Sequence, residues 1–360
     1  MQVIPDFGLG GAETMCANLS IELRKMGHSV MVVSLYNLQS TITERLVNND
    51  VKLIYLHKKS GLNLSIILDL YKIIKQEKPD VVHTHLYAAK YAHAASILSR
   101  VRVKVHTIHN IASKDGGTLE QTVNRFLFKI CGVIPVSLSN DVKKTVVDVY
   151  KIGEKKSPVI LNGVPLDRCC PIVKYKPCAT KFLHVGRFSE QKNHILLIKA
   201  FAEAHKSANQ IELYLYGDGI LKSECRELVQ KLKATNYIHF CGTTDNVYSV
   251  MNDMDAFILP SLWEGVPMTL IEAMGTGLPI LASAVGGIPD MIKDGENGIL
   301  FQPIQQDIMK GILTIYDNYY LRKKLGQNAI RTSVHFSAHK MAEKYLKVYS
   351  ANLRKDKLKK

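Results

Sequence analysis

Short apolar runs of strand length alternate with amphipathic stretches of helical period along the whole chain. This alternation confines the fold to βαβ units built on parallel sheets. In the first half the strand-like runs fall at 2–5, 30–35, 51–56, 80–84, 103–108, 132–136 and 159–161. In the second half they fall at 182–185, 211–216, 237–240, 256–259, 279–282 and 298–301, a second doubly wound sheet. Between the series lies a run poor in either period and carrying Pro165, Pro171 and Pro177, which reads as a linker. At 360 residues the chain exceeds what one core serves, so we expect a domain at 1–161, a linker at 162–178, a domain at 179–335 and a terminal helix with a basic tail at 336–360. That helix repeats Met341, Tyr345, Val348 and Tyr349 on one side and has no strand after it, so it must dock on something already folded.

Composition removes several function classes. Hydrophobic residues make up 46% and mean hydropathy is −0.01, which suits packed cores and neither disorder nor a membrane span. The N-terminus lacks the pattern of a secretory signal, so a cytoplasmic location is expected. Seven scattered cysteines form neither a disulfide framework nor a CxxC metal pair. The net charge of +15 suggests an anionic partner. Residues 1–165 carry 21 basic against 13 acidic side chains (+8), and the last 21 carry 8 against 2 (+6), which leaves the middle nearly neutral. A solvated lysine-rich tail and a membrane-facing one both fit.

Three segments carry chemistry. The first strand runs into Gly8-Leu9-Gly10-Gly11-Ala12-Glu13 and a helix, where glycines let backbone amides approach a phosphate; a dinucleotide fingerprint would need glycine in place of Glu13. A tight strand-to-helix turn is the alternative. At the start of the second half, Gly186 is followed by Arg187 and Lys192, a guanidinium and an ammonium placed to clamp a diphosphate without metal. Further on, Glu264 and Glu272 stand eight residues apart around a helix start near Met268, in mostly apolar surroundings. Ionised carboxylates there suit the vicinal hydroxyls of sugars and ribose. Histidines 83, 85, 106 and 109 sit at the ends of consecutive strands, where a doubly wound sheet presents its crevice. They read as structural, as substrate contacts for His109 at least, or as a metal site, which no nearby cysteine or acid pair completes.

In this order, GLGGAE, HVGRFSEQKNH, YGDG, EGVPMTLIEAMGTGLPILAS and GGIPD resemble the retaining glycosyltransferases of GT-B architecture, in the large family four group, over the whole chain. The resemblance implies an α/β fold of two Rossmann-like domains facing across a cleft, with the terminal helix crossing back to the first. It also implies a hexosyltransferase of the bacterial capsule or exopolysaccharide type, independent of metal and without a cofactor. The donor would be a nucleotide diphosphate-sugar and the acceptor a saccharide or lipid-linked saccharide, with the anionic inner face of the plasma membrane as a candidate partner. Carried onto this sequence, Gly10, Gly11 and Gly186 would lie near the donor phosphates, with Arg187 and Lys192 on the diphosphate. Glu264 would take the donor sugar, Glu272 the ribose, and the amides of Met268, Thr269 and Leu270 the phosphates. His109 would lie beside the reacting sugar, with His85, Asn110 and Asn162 on the acceptor side. The first strand, confined to 1–5, looks a few residues short of the family's pattern.

A nucleotide-sugar 2-epimerase of the same fold is the nearest alternative. Glu264 and Glu272 at this spacing favour the transferase. A basic nucleic-acid-binding protein has only the pI of about 9.3 behind it and no recognition motif, so no nucleic-acid partner is expected.

Overall fold

The computed structural model describes residues 1–8, 10–114, 117–172 and 175–357, the side chains of 114 and 355–357 excepted. The chain divides into two compact units, Met1–Val164 with Ala338–Lys360, and Pro165–Ser337.

In the first unit the elements run β1 (Gln2–Ile4), α1 (Gly11–Lys25), β2 (Met31–Ser34), α2 (Thr41–Val47), β3 (Lys52–Tyr55), α3 (Ser65–Glu77) and β4 (Val81–His85). They continue through α4 (Ala89–Leu98), β5 (Val103–Ile108), α5 (Thr118–Lys129), β6 (Val133–Ser137) and α6 (Asn140–Tyr150). The sheet is parallel, in the order β3-β2-β1-β4-β5-β6. The chain therefore winds outward from β1 and then resumes on its other side. That switch point leaves a crevice at the carboxyl ends of β1 and β4, where such sheets bind ligands.

The second unit repeats the plan: β7 (Lys181–Val185), α7 (His194–His205), β8 (Glu212–Tyr216), α8 (Lys222–Lys231), β9 (Ile238–Gly242), α9 (Val247–Asn252) and β10 (Ala256–Leu259). After these come α10 (Met268–Thr276), β11 (Ile280–Ser283), β12 (Ile299–Phe301), α11 (Gln305–Asp317) and α12 (Tyr319–Ser333). Its order is β12-β11-β10-β7-β8-β9, with the switch point between β7 and β10.

The helices follow from their sequence. In α3, Ile66, Leu70 and Ile74 recur at i, i+4 and i+8 and are the buried positions, and the helix stops at Lys78 in the left-handed conformation. Helix α6 is capped by Ser139 Oγ, which accepts from Val142 N at 3.1 Å, and buries Val142, Val146 and Tyr150. The last helix, α13 (Ala338–Lys357), belongs to the first unit. It packs on α1 and β5 and buries Met341, Ala342, Tyr345 and Tyr349.

Two sequence expectations need correction. The run 159–161 is no strand: only Val159 forms a bridge, to Ser137, the last residue of β6. From Pro165 onward, the segment read as a linker is built into the second unit. Ile172 N donates to Thr276 O (2.9 Å) and Tyr175 Oη to Gly277 O (3.0 Å). Arg322 in α12, 1% exposed, donates to the carbonyls of Lys176 (2.7 Å), Pro177 (2.5 Å), Ile315 (2.5 Å) and Tyr316 (2.9 Å). An aperiodic run looks like a tether in sequence because its partners are backbone groups far along the chain. Replacing Arg322 by leucine leaves four carbonyls short of a donor. It should lower unfolding stability by about 3 kcal/mol or more in denaturant titration; a change below about 1 kcal/mol would contradict this role.

Candidate active site

In the second unit the crevice between β7 and β10 is built by two loops that lock together. After β7, Gly186 N donates to Tyr216 O and Phe188 N to Asp218 O, both at 2.9 Å. The two backbones approach so closely that a Cβ on Gly217, at φ +144°, would overlap Gly186 O, which is why YGDG carries glycine there. Leu262 N donates to Gln191 O (2.8 Å), and Asn193 Nδ2 donates to Pro260 O (3.2 Å). These bonds bring Lys192 against Glu264. Lys192 Nζ donates to Glu264 Oε1 at 2.5 Å, Ser261 Oγ donates to the same oxygen at 2.7 Å, and Gln191 Nε2 reaches Oε2 at 3.4 Å. Glu264 is 7% exposed, so it is a buried carboxylate held by a cation and a hydroxyl. Its main chain is fixed from GGIPD: Gly287 N donates to Glu264 O (3.2 Å), and Gly286, at φ +55°, leaves no room there for a Cβ.

Arg187 is exposed at the end of the β7 turn. Helix α10 starts directly after Pro267. One expectation is corrected here: the Leu270 amide already donates to Pro267 O (3.2 Å), which leaves those of Met268 and Thr269 as the helix-end donors without an intrahelical acceptor. Glu272, also buried, accepts from Tyr248 Oη at 3.2 Å, and the Arg168 guanidinium lies 4.7 Å from the Tyr248 ring centroid. The sequence reading missed Ser261, Gln191, Tyr248 and Arg168. Ser261, three residues before Glu264, and Gln191, next to Lys192, had a local signal; Tyr248 and Arg168 had none.

In the first unit Gly10 is the extended residue before α1, and Gly11 is the first residue of that helix. The carboxylate of Glu13 folds over Gly10 so closely that a Cβ there would collide with it. The carboxylate thus lies beside the start of α1, where negative charge meets the positive end of the helix dipole.

The pleat divides the histidines into two groups. His83 and His85 share one face of β4; Thr84 faces the other way, towards His106 (2.9 Å) and His93 (2.8 Å). His85 Nδ1 lies 3.0 Å from His109 Nε2. Burial holds His109 neutral, its pKa pushed down to about 3, and pushes His83, His85 and His93 well below the usual histidine value. Asn110 Oδ1 accepts from Ile111 N (2.8 Å), so its carbonyl is engaged in its own loop. Asn162 is buried in a segment pinned by Asn18 Nδ2 to Gly163 O (3.2 Å) and by Ala338 N to Val164 O (2.8 Å). Among the described residues no group of three His, Cys, Asp or Glu side chains is placed to hold a metal ion.

The sequence pattern of Glycosyltransferase Family 4 matches residues 9–168, and that of Glycosyl transferases group 1 matches residues 176–332. The chain is similar to UDP-Gal:alpha-D-GlcNAc-diphosphoundecaprenol alpha-1,3-galactosyltransferase of Escherichia coli, 30% identical over 269 residues that cover 67% of this chain and 68% of that protein. It is also similar to the putative glycosyltransferase EpsF of Bacillus subtilis (strain 168), 26% identical over 300 residues, 79% of this chain and 78% of that one. Among solved structures, Anabaena Alr3699/HepE in complex with UDP and glucose shares the fold at a TM-score of 0.84, with 18% identity over 98% of this chain and 100% of that one. A glycosyltransferase from Rickettsia africae ESF-5 gives 0.81, with 23% identity over 98% and 97%. With one pattern on each half and a relative 30% identical across two thirds of both sequences, this chain belongs to the family 4 glycosyltransferases.

Proposed function

We propose that this transferase moves a sugar, with retention of configuration and without a metal ion, from a nucleoside diphosphate sugar to a lipid-linked or glycan acceptor in bacterial surface-polysaccharide synthesis. The observation that carries the reading is the Lys192–Glu264 pair at the β7/β10 switch point, beside the start of α10. Glu264 accepts the donor sugar's hydroxyls, while Lys192, Arg187 and the amides of Met268 and Thr269 receive the diphosphate, and Glu272 takes the ribose. In the reaction the bond from sugar C1 to the diphosphate oxygen breaks as a bond from C1 to the acceptor oxygen forms on the same face. The acceptor's proton passes to the departing diphosphate. Negative charge grows on that group, so preorganised cations and amides supply most of the stabilisation. Glu264 is no nucleophile in this reading: a glycosidase-like carboxylate works with a second acid across the bond, whereas Lys192, Ser261 and Gln191 hold this one in place as a hydroxyl acceptor. The E. coli relative's name supports UDP as the donor nucleotide and a diphosphoundecaprenol-linked sugar as the acceptor class.

The test is product analysis with α-linked UDP-sugars and a diphosphoundecaprenol-linked saccharide. An α-linked product and an EDTA-insensitive rate are expected. A β-linked product would remove retention, and activity lost in EDTA and restored by magnesium or manganese would remove metal independence. A changed sugar from donor alone would favour the epimerase.

We place the enzyme on the inner face of the membrane as a peripheral protein. Among the described residues no helix is long and apolar enough to cross a bilayer. Helix α5 turns Leu119 and Phe126 outward, 76% and 53% exposed, and Ile130 follows at 71%; the three lie on one face by spacing. Nearby, Lys129, Lys155, Lys156 and Lys347 line a cavity of about 520 Å³. Of the cations in the basic first 165 residues, Lys90 is paired with Glu120 and Arg102 with Asp80, while the end of the basic tail, from residue 358, lies outside the described residues. Each unpaired cation near an anionic surface contributes roughly 1 kcal/mol. Co-sedimentation with phosphatidylglycerol vesicles should be strong at low salt and fall at least tenfold in Lys129→Gln/Lys155→Gln/Lys156→Gln. Equal sedimentation with neutral vesicles would remove the electrostatic attachment.

A further inference from the structure

The polar groups beneath α13 form a hydrogen-bonded line that the reaction above does not use. Tyr345 Oη lies 2.8 Å from Thr107 Oγ1, which lies 2.7 Å from His83 Nε2. His83 Nδ1 lies 2.7 Å from Tyr349 Oη, and Tyr349 is bonded in turn to the Gln2 side chain. Gln2 Oε1 is 3.0 Å from His85 Nε2, and His85 Nδ1 is 3.0 Å from His109 Nε2. Register explains the assembly: Gln2 stands opposite His83 across β1 and β4, and His85 stands opposite Thr107 across β4 and β5, so all four point to the face that α13 covers. All four are buried.

With the Gln2 amide oxygen turned to His85, proton counting gives the direction of the line near His109. A neutral imidazole has one donor nitrogen and one acceptor nitrogen, and an amide oxygen can only accept. His85 Nε2 therefore donates to Gln2 Oε1, which leaves Nδ1 of His85 as a lone pair. His109 Nε2 must then carry the proton that lies between the two rings. On the other side the Gln2 amide NH2 donates to Tyr349, whose hydroxyl donates to His83 Nδ1, and His83 Nε2 donates to Thr107. Turning the Gln2 amide over would reverse each of these bonds and move the His109 proton to Nδ1. The orientation of one buried amide thus selects between two self-consistent orders. Among the described residues Nδ1 of His109 has no hydrogen-bond partner.

We propose that His85, oriented by Gln2, is a positioning residue that holds His109 as its Nε2–H tautomer, so that His109 Nδ1 accepts a hydrogen bond from a substrate hydroxyl. This rests on the reading of His109 as a substrate contact. With the reverse tautomer the same ring could only donate at that position, which would leave the hydroxyl's proton without its acceptor.

Long-range ¹H–¹⁵N correlation on the histidine-labelled full chain reads the tautomer directly and without reference to activity. His109 is expected as Nε2–H in the wild type and as a mixture in His85→Phe, which keeps the ring's volume but no acceptor. Turnover of His85→Phe should fall on the order of tenfold with the donor KM little changed. His85→Asn, whose side-chain oxygen can stand close to where the imidazole Nδ1 was, should recover most of both signals. Gln2→Met gives a second route, with the same mixed tautomer expected. His109 protonated at Nδ1 in the wild type, or His85→Phe with both tautomer and turnover unchanged, would overturn the proposal. The substrate contact itself is judged separately: a wild-type rate in His109→Ala alongside the Nε2–H tautomer would fault that contact and leave the alignment of the line standing.

Discussion

Lys192→Ala is expected to lower turnover by a hundredfold or more, and to lower stability in a way that a second substitution repairs. The first effect follows from charge: the leaving diphosphate gains negative charge as the sugar departs, so an ammonium beside it matters more in the transition state than in the bound donor. The second follows from the pair. Lys192 Nζ stands 2.5 Å from a carboxylate whose side chain is only 6% exposed, so its removal leaves Glu264 with Ser261 and Gln191 as its remaining donors. Leaving a buried charge unpaired costs about 3 kcal/mol or more. In the double variant Lys192→Ala/Glu264→Gln the charge is gone, so the melting temperature should return most of the way while turnover stays low. Steady-state kinetics and thermal melts of the two single variants and the double variant close the cycle. A double variant as unstable as Lys192→Ala would show that the pair is not what holds the loops, and near-normal turnover in Lys192→Ala would remove Lys192 from the diphosphate. Glu272→Ala is the contrast: the proposed ribose contact would be similar in ground and transition states, so donor affinity should fall more than turnover at saturation.

The fold was legible because its determinants are local. Runs of apolar residues with turn signals between them mark parallel strands wherever they lie in the sheet, so all but one of the expected strands stand near their expected positions; the exception, 159–161, lies past the last strand, where one bridge forms and no ladder follows. The segments proposed for phosphate and hydroxyl binding stand out in sequence for the same reason, since Gly186, Arg187 and Lys192, or Glu264 and Glu272, lie within single short runs. What sequence could not supply was which of these groups touch each other. Lys192 and Glu264 are 72 positions apart, and Tyr349 and His83 are 266 apart, so their pairing is a property of strand order and helix docking. The histidine grouping was recoverable: period-two alternation already puts His83 and His85 on one face of their strand and Thr84 on the other. Arg322 was not recoverable, because its partners are carbonyls and every residue has one.

Mild acid should unfold the first unit before the second. His83, His85 and His93 in the first unit are buried, and desolvation pushes their pKa values well below that of an exposed imidazole. In the second unit His184 is pushed down to about 4 and His194 to about 2, again mainly by burial. With a lowered pKa in the folded state, the unfolded chain takes up the proton first as pH falls. The stability is therefore intact above about pH 6.5 and is lost as pH drops toward the folded values. Each unit of pH below 6.5 costs about 1.4 kcal/mol for every histidine that stays neutral, and the first unit holds four such rings, His109 with the other three, against two in the second. Domains are stable by only about 5–15 kcal/mol, so a loss summed over several histidines is enough to unfold them. The single tryptophan, Trp263, lies in the second unit, so its fluorescence reports that unit while far-ultraviolet circular dichroism reports both. Between pH 6.5 and 4.5 the circular dichroism should fall ahead of the fluorescence change. His194 sharpens the test, because its ring stacks on Phe188 with centroids 4.0 Å apart and its two nitrogens are buried with no hydrogen-bond partner among the described residues. His194→Phe should therefore shift the fluorescence transition to lower pH, by an amount equivalent to about 2 kcal/mol at pH 5, and leave the first unit's transition in place. Coincident transitions below pH 4, where carboxylates titrate, would show that the histidines do not set the acid limit.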